Sequence, residues 1–388
     1  MRILFVNNKY KLFGEADSGA SNRSTMFLRA LASMGHVDVV SFVKVCTSNI
    51  PNCDVIYSED ILDTEMDISP LRKIKRALFS KDIKELYGTS YKKTEIIRSL
   101  VVDRNYDFVA CRYINEAAIC SLCDYSSKLI IDVDDSPKQA LLQSISQRSC
   151  ILKKIYIQWY AKTIEKVCEG FLETVHSSFY SNPTEKPSDK SVFLHNVTIS
   201  TTSIEDLPKD FAPIILLVGW MVYSPNKLGA IHFARKVFPL IKEKIPDAQF
   251  RIAGKYEGTF KDDLECNKGV KVLGFVPNID EEYTNSAIVV VPIYQGSGTS
   301  IKVIEALQKN RPVVSTPMGI RGLENILVDG EDYLEADSDE QFARIIIKLL
   351  KSDPTKLISL AHNGNSKARK YFSQEKFIKI VNQTVLRK

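Results

Sequence analysis

No apolar run in this 388-residue sequence approaches the ~20 residues that a membrane-spanning helix needs. The opening "MRILFVNNKY" lacks a small-residue cleavage site and reads as a first strand, not a signal peptide. One-sided charge is also missing. The 52 Lys/Arg and 47 Asp/Glu leave a net charge of +5, without the global basic field of a dedicated nucleic-acid binder. The eight cysteines are scattered. "CSLC" (Cys120–Cys123) has no second pair at metal spacing and reads as buried thiols in a reducing cytoplasm. His36, His176, His232 and His362 have no mutual spacing that suggests a metal site. No G-x-x-x-x-G-K-[ST] occurs, which excludes a P-loop. No G-x-G-x-x-G follows the first strand, since Gly14 and Gly19 in "FGEADSGASNRS" are wrongly spaced, so a nicotinamide dehydrogenase is poorly supported. Short-period repeats and low-complexity tracts are absent.

What is present is strand and helix in alternation. The length suggests two domains rather than one core. "RILFVNN" reads as a buried strand, and "SNRSTMFLRALASMGH" places apolar residues at helical spacing up to Gly35. "HVDVVSFV", "YDFVACRY" and "KLIIDVDD" are further short buried strands. The polar, aperiodic "TISTTSIEDLPKDFAP" reads as a linker. A second series follows: "IILLVGW", "AQFRIAG", "VKVLGFV", "AIVVVPI" and "RPVVSTP", with helical sequence between. The expected class is α/β with mostly parallel sheets. We expect an N-terminal domain over 1–198, a linker over 199–213, a C-terminal domain over 214–370 and a crossover helix over 371–388.

The most informative loop is "YQGSGTSIKVIEAL". It ends an apolar strand and opens a helix, and open α/β sheets bind ligands at their strands' carboxyl ends. Loop N–H groups and the helix start favour an anion. Lys302 adds a charge in the first turn, and Glu305 lies three residues on, on roughly the same face. Cation and N–H groups suit a diphosphate, and a carboxylate suits sugar hydroxyls. The bland alternative is a plain strand–loop–helix connection capped by Thr or Ser.

The stretch "GFVPNIDEEYTNSAIVVVPIYQGSGTSIKVIEALQKNRPVVSTPMGIRGLE" resembles the donor-binding half of the family 4 (group 1) glycosyltransferases, in their "GSGT-x-x-K-x-x-EAL" branch. "LLVGWMVYSPNKLGAIHFARKVFPLIKEKIPDAQFRIAG" is similar to the same family's first C-terminal unit, and "RILFVNN…GASNRSTMFLRALASMGHVDVVSF" to its first N-terminal unit. The resemblance implies a GT-B fold: two Rossmann-like domains facing across a cleft, with the last helix crossing back. It implies metal-independent, retaining transfer of a hexosyl-type sugar from a UDP- or GDP-type donor to a glycan or lipid-linked acceptor, without a further cofactor.

Carried over by position, Glu305 matches the family's ribose-binding glutamate. Lys302 stands next to the phosphates, and Gly298, Thr299 and Ser300 supply loop contacts to them. Gly219 opens the loop under the donor, and Asn226 matches the branch's "PN". Val276 and Pro277 face the base, and Gly19 and Ala20 match the first glycine-rich loop. The family's first glutamate falls at Ser297, and its usual Arg after "GT" is Ser300. Phosphate neutralisation then rests on Lys302, Lys255 and the helix terminus.

In the acceptor half, "KLIIDVDDSP" ends a strand with Asp134 and Asp135, where the family often places a catalytic or acceptor-orienting residue. Helix-start chemistry is the alternative for "DDSP". Arg112, Tyr113 and Asn115 in "CRYIN" are acceptor-side candidates, and His195 and Asn196 in "LHNV" suit a structural hinge. The segment 71–93 carries eight Lys/Arg against Asp82 and Glu85 with apolar residues between. It suits either peripheral contact with the cytoplasmic face of a membrane or a solvated surface helix pair. The competing functions are a nucleotide-sugar epimerase of the same architecture and a catalytically silent scaffold.

Overall fold

The computed structural model describes residues 1–13, 19–61, 70–143, 150–183, 185–198, 211–296 and 299–387. The chain packs as two units, Met1–Val197 with Gln374–Lys388, and Thr198–Ser373. Most of the expected linker, 199–210, lies outside the described residues.

The first unit is built on strands β1 (Arg2–Asn7), β2 (His36–Ser41), β3 (Cys53–Ser58), β4 (Phe108–Arg112), β5 (Leu129–Asp134), β6 (Ser177–Tyr180) and β7 (Val192–Phe193). They form one sheet in the order β3-β2-β1-β4-β5-β6-β7, every pairing parallel. Ile3, Leu4, Phe5 and Val6 are all buried, as expected of a strand covered on both faces. Helix α2 (Pro70–Phe79) packs on α3 (Ile83–Tyr87) and α7 (Ile151–Leu172), and α3, α4 (Tyr91–Asp103), α5 (Ile114–Ile119), α6 (Pro137–Gln143) and α7 cover Leu4 and Val6, supplying Ile83, Ile97, Ile114 and Ile164 to that core. Phe5 faces the other way, against Phe27 of α1 (Gly19–Ala32), whose ring in turn meets Phe179.

The second unit has strands β8 (Ile214–Val218), β9 (Gln249–Ala253), β10 (Val270–Gly274), β11 (Ile288–Val291), β12 (Val313–Ser315) and β13 (Leu334–Glu335), parallel in the order β10-β9-β8-β11-β12-β13. Alternation along β8 divides its core: Ile215 and Leu217 pack with Phe233 and Phe250, and Leu216 with Val289 and Val303. The helices are α8 (Ser224–His232), α9 (Phe238–Lys244), α10 (Phe260–Glu265), α11 (Ile279–Asn285), α12 (Ile301–Gln308), α13 (Pro317–Ile320), α14 (Asp339–Lys351) and α15 (Pro354–Tyr371). A last helix, α16 (Gln374–Val385), belongs to the first unit and packs on α1 with Phe377 fully buried. Among the described residues no helix is long and apolar enough to cross a membrane.

Both sheets reverse their strand order at one point, between β1 and β4 and between β8 and β11. Loops leaving two adjacent strands in opposite directions there open a crevice at the carboxyl ends, the usual ligand position in open α/β sheets.

Candidate active site

In the second unit the crevice between β8 and β11 gathers the residues singled out above. Gly219 leaves β8, and its N–H bonds the Ala253 carbonyl at 3.0 Å. A Cβ on Gly219 would stand 3.0 Å from Asn226 Nδ2 and 3.5 Å from Lys302 Cε, so a side chain here would crowd both. Gly254 has φ +140°, and a Cβ there would meet the Gly219 carbonyl oxygen at 1.7 Å. Only glycine lets these two loops touch.

Lys302, in the first turn of α12, donates from Nζ to Asn226 Oδ1 at 2.8 Å. Asn226 Nδ2 donates to the Trp220 carbonyl at 3.0 Å, which fixes the amide. Burial pulls the Lys302 ammonium down to about 8, against the opposing pull of Glu305. A cation held so far from its ordinary value is short of counter-charge, which an incoming anion supplies.

Ser300 stands at the N-cap of α12 but makes no side-chain capping bond. Its buried Oγ has no hydrogen-bond partner among the described residues. The plain capping role open to this serine is therefore not the one it plays. Tyr283 of α11 is fully buried beside this helix, with its hydroxyl turned toward the Glu305 carboxylate. Burial pushes Glu305 up, while Lys309 and Lys302 pull it back. Buried polar groups without partners cost about 1–3 kcal/mol each and mark places where a ligand's own donors and acceptors fit. Tyr283 carries no motif in "DEEYTNS"; only the packing of α11 beside α12's residues identifies it.

Lys255 is exposed just past β9, and its carbonyl accepts from Met221 N–H at 2.8 Å. Val276 and Pro277 follow β10 at the same end of the sheet, Val276 against the apolar core and Pro277 exposed. Thr299 is partly buried at the loop's end, while Ser297 and Gly298 lie outside the described residues.

In the first unit, charge is concentrated at the ends of β4 and β5. Arg23 of α1 is 1% exposed and donates from Nε and Nη2 to the two carboxylate oxygens of Asp132, at 2.8 and 2.7 Å. It also donates to the Leu194 carbonyl and to Asn196 Oδ1, so the "LHNV" segment is tied to β5 and its part here is structural. Arg112 donates to Asp132 at 2.8 Å, to Asp134 at 2.5 Å and to the Ala20 carbonyl at 2.6 Å. Gly19 and Ala20 open α1, and 14–18 lie outside the described residues. Burial raises Asp134, but Arg23 and Arg112 outweigh it and hold the carboxyl below the usual range. Tyr113 donates from Oη to the same carboxylate at 3.2 Å, and Asn115 bonds Glu116 at 3.2 Å. Tyr113 (φ 67°) and Asp134 (φ 61°) both have left-handed backbones, a strain of about 1–3 kcal/mol each for such residues.

Asp135 differs from its neighbour. Burial, then the charges of Asp134 and Glu185, push it up to about 7. A carboxyl raised in the fold contributes stability below the ordinary carboxylate range and loses it as pH rises through about 7. Asp135→Asn is therefore expected to melt above the wild type at pH 8 and together with it near pH 4. Parallel melting profiles across that range would refute the raised value.

One expectation needs correction. Lys93 was counted with the basic surface of 71–93, but it is 1% exposed. It donates to Asn8 Oδ1 at 2.6 Å and lies over the Phe42 ring, because α4 turns this side chain inward. Lys84 is paired with Asp124 at 2.5 Å. Nothing in the local spacing marked Lys93 as inward, since its partner is 85 positions away.

Residues 212–352 match the family described as "Glycosyl transferases group 1". The chain is 24% identical, over 87% of its length and 88% of the relative's, to an "Uncharacterized 44.6 kDa protein in cps region" of Klebsiella pneumoniae. Among solved structures, sucrose-phosphate synthase from Thermosynechococcus elongatus superposes with a TM-score of 0.68 at 16% identity, covering 99% of this chain and 98% of that one. Anabaena HepE, solved in complex with UDP and glucose, superposes at 0.64 with 14% identity and 99% coverage of both. WaaG, "a glycosyltransferase involved in lipopolysaccharide biosynthesis", gives 0.64 at 14% identity, covering 98% and 99%. The two parallel sheets and the returning C-terminal helix are those of the GT-B fold.

Proposed function

We propose that this GT-B chain moves a hexosyl-type sugar from a nucleoside diphosphate donor to a glycan or lipid-linked acceptor, with retention and without a metal. The observation that carries the reading is the start of α12. There a charge-starved Lys302, an uncapped Ser300 and the buried carboxyl of Glu305 lie beside the bare backbone of Gly219. The match of 212–352 to group 1 glycosyl transferases supports it, as does the UDP-bound state of HepE.

The diphosphate lies at the amino end of α12, where the helix end and Lys302 offset its charge. As the glycosidic bond breaks, charge grows on the leaving phosphate. Groups already in place stabilise it without reorganisation. Glu305 accepts from the ribose hydroxyls, and Val276 and Pro277 flank the base. In the first unit Asp134, ion-paired on both sides, serves to orient hydroxyls. Asp135 is the carboxyl able to exchange a proton near neutral pH.

Thermal unfolding against UDP, GDP, ADP and their sugar conjugates tests this. A nucleotide at 100 times its Kd adds about 2.7 kcal/mol. Lys302 supplies the internal control. Its folded value lies below the unfolded one, so its charge costs stability below pH 8, a cost that fades as pH rises toward 10.5. Lys302→Met is expected to raise the unliganded melting temperature at pH 7, less the cost of the lost bond to Asn226, and to abolish the nucleotide shift. A folded wild type that answers to no nucleotide would overturn the proposal. Nucleotide release or epimer formation without an acceptor would replace transfer by epimerisation.

A further inference from the structure

Seven of the large hydrophobic side chains exposed among the described residues lie on two helices of the first unit that pack together, α2 and α7. On α7 they are Ile151 (75% exposed), Leu152 (78%), Ile155 (47%) and Trp159 (63%); on α2 they are Ile74, Leu78 and Phe79 (68%). At about 100° per residue, the four on α7 fall within an arc of roughly 100°, so they form one outward stripe. Lys162 and Lys166 continue the same arc and are exposed, followed one turn further on by the exposed Glu169. Lys75 and Lys81, next to the exposed apolar residues of α2 in the sequence, are exposed as well. Against these, Glu165 is already paired with Lys138.

An apolar stripe left in water is costly, and its cationic border says what covers it. A helix with bulky apolar residues and a tryptophan outward, flanked by lysines, has the composition of an interfacial helix. The cations complement an anionic headgroup layer, each worth a measurable share of the binding.

The position on the fold gives the contact a consequence. Strand β6 follows α7 and runs parallel to β5, so α7 runs back from the carboxyl ends of the strands to their amino ends. The helix has 22 residues, about 33 Å. Its apolar stripe occupies the first half. That is the end of the sheet where β5 delivers Asp134 and Asp135.

We propose that the α2–α7 face docks on an anionic lipid bilayer, with Ile151, Leu152, Trp159 and Phe79 entering the headgroup boundary, and so brings the carboxylate end of the first unit to the membrane surface. The segment 71–93 is then half of the contact, and α7 supplies the inserted half. Vesicle binding is separable from sugar transfer, so failure of either reading leaves the other standing.

The chain has two tryptophans, Trp159 and Trp220. In Trp220→Phe protein the emission reports Trp159 alone. That protein is expected to sediment with phosphatidylcholine–phosphatidylglycerol vesicles, and not with phosphatidylcholine alone, and its emission is expected to move to the blue on binding. The double variant Ile151→Asp, Leu152→Asp is expected to lose roughly tenfold or more in vesicle binding at an unchanged melting temperature. Lys162→Glu with Lys166→Glu is expected to abolish the preference for anionic vesicles. Absence of sedimentation by folded protein would overturn the proposal. So would aspartates that leave vesicle binding intact while converting a dimer to a monomer in analytical ultracentrifugation, which would make the face an interface between copies.

Discussion

Glu305→Gln is expected to lower the kcat/KM for sugar transfer by roughly 100-fold, with most of the loss in donor affinity. A carboxylate accepts from two neighbouring ribose hydroxyls through charge-assisted bonds worth about 1.5–3 kcal/mol each. Glutamine keeps the length of the side chain but offers one oxygen and a donor where an acceptor is required. The fold tolerates the exchange, because burial already disfavours the charged form of Glu305 and the amide removes that penalty. Melting temperature without nucleotide should therefore hold or rise as affinity falls. Isothermal titration with the nucleotide found by thermal shift, alongside melting curves, separates the two. Unchanged affinity in a folded variant would take Glu305 out of the donor site.

The second large effect concerns stability. Arg23→Met is expected to destabilise the first unit by about 3–5 kcal/mol, the cost of stripping one partner from a buried ion pair. Asp132 is fully buried and has two cationic partners, Arg23 and Arg112. Removing Arg23 leaves it one, and frees Asn196 and the Leu194 carbonyl from their donor. The pH profile sharpens the test. Asp134 is held low in the fold, so it contributes stability above the ordinary carboxylate range and loses it as pH falls through its folded value. Without Arg23 that folded value rises, and acid unfolding should begin at higher pH. Urea titrations from pH 4 to 8 with a probe in each unit are needed, since two units give no single transition by right. A second-unit transition that moves as far as the first would argue against a local network.

Most of this architecture was legible from apolar runs. "RILFVN", "HVDVVS", "IILLV" and "IVVV" are strands because a parallel sheet covered on both faces needs unbroken apolar sequence. The shorter or more polar strands left weaker traces: β7 and β13 have two residues each, and β3 alternates only partly. Lys302, Asn226 and Gly219 were recognisable singly, and the fold brings them within bonding distance. The inward roles of Arg23, Tyr283 and Lys93 left no mark in the sequence, for a shared reason. Each has an ordinary local context and acquires its meaning from a partner far along the chain. Arg23 sits in the polar stretch "SNRST" at the start of an amphipathic helix, and its carboxylate partner lies 109 positions on. Periodicity reports which way a side chain points, not what waits there.

The helix at 374–385 also sets an order of events during synthesis. Its Phe377 lies under the Arg23 guanidinium at 5.7 Å and beside His195, and His176 bonds the Val385 carbonyl at 3.0 Å. The unit that leaves the ribosome first is thus the last to be finished. While residues 198–373 emerge and close their own core, α1 waits with the patch around Arg23 and Phe27 unsealed. A chaperone that shields apolar surface should hold nascent chains stalled before 374 and release those that include α16, whereas the second unit can complete itself without that delay.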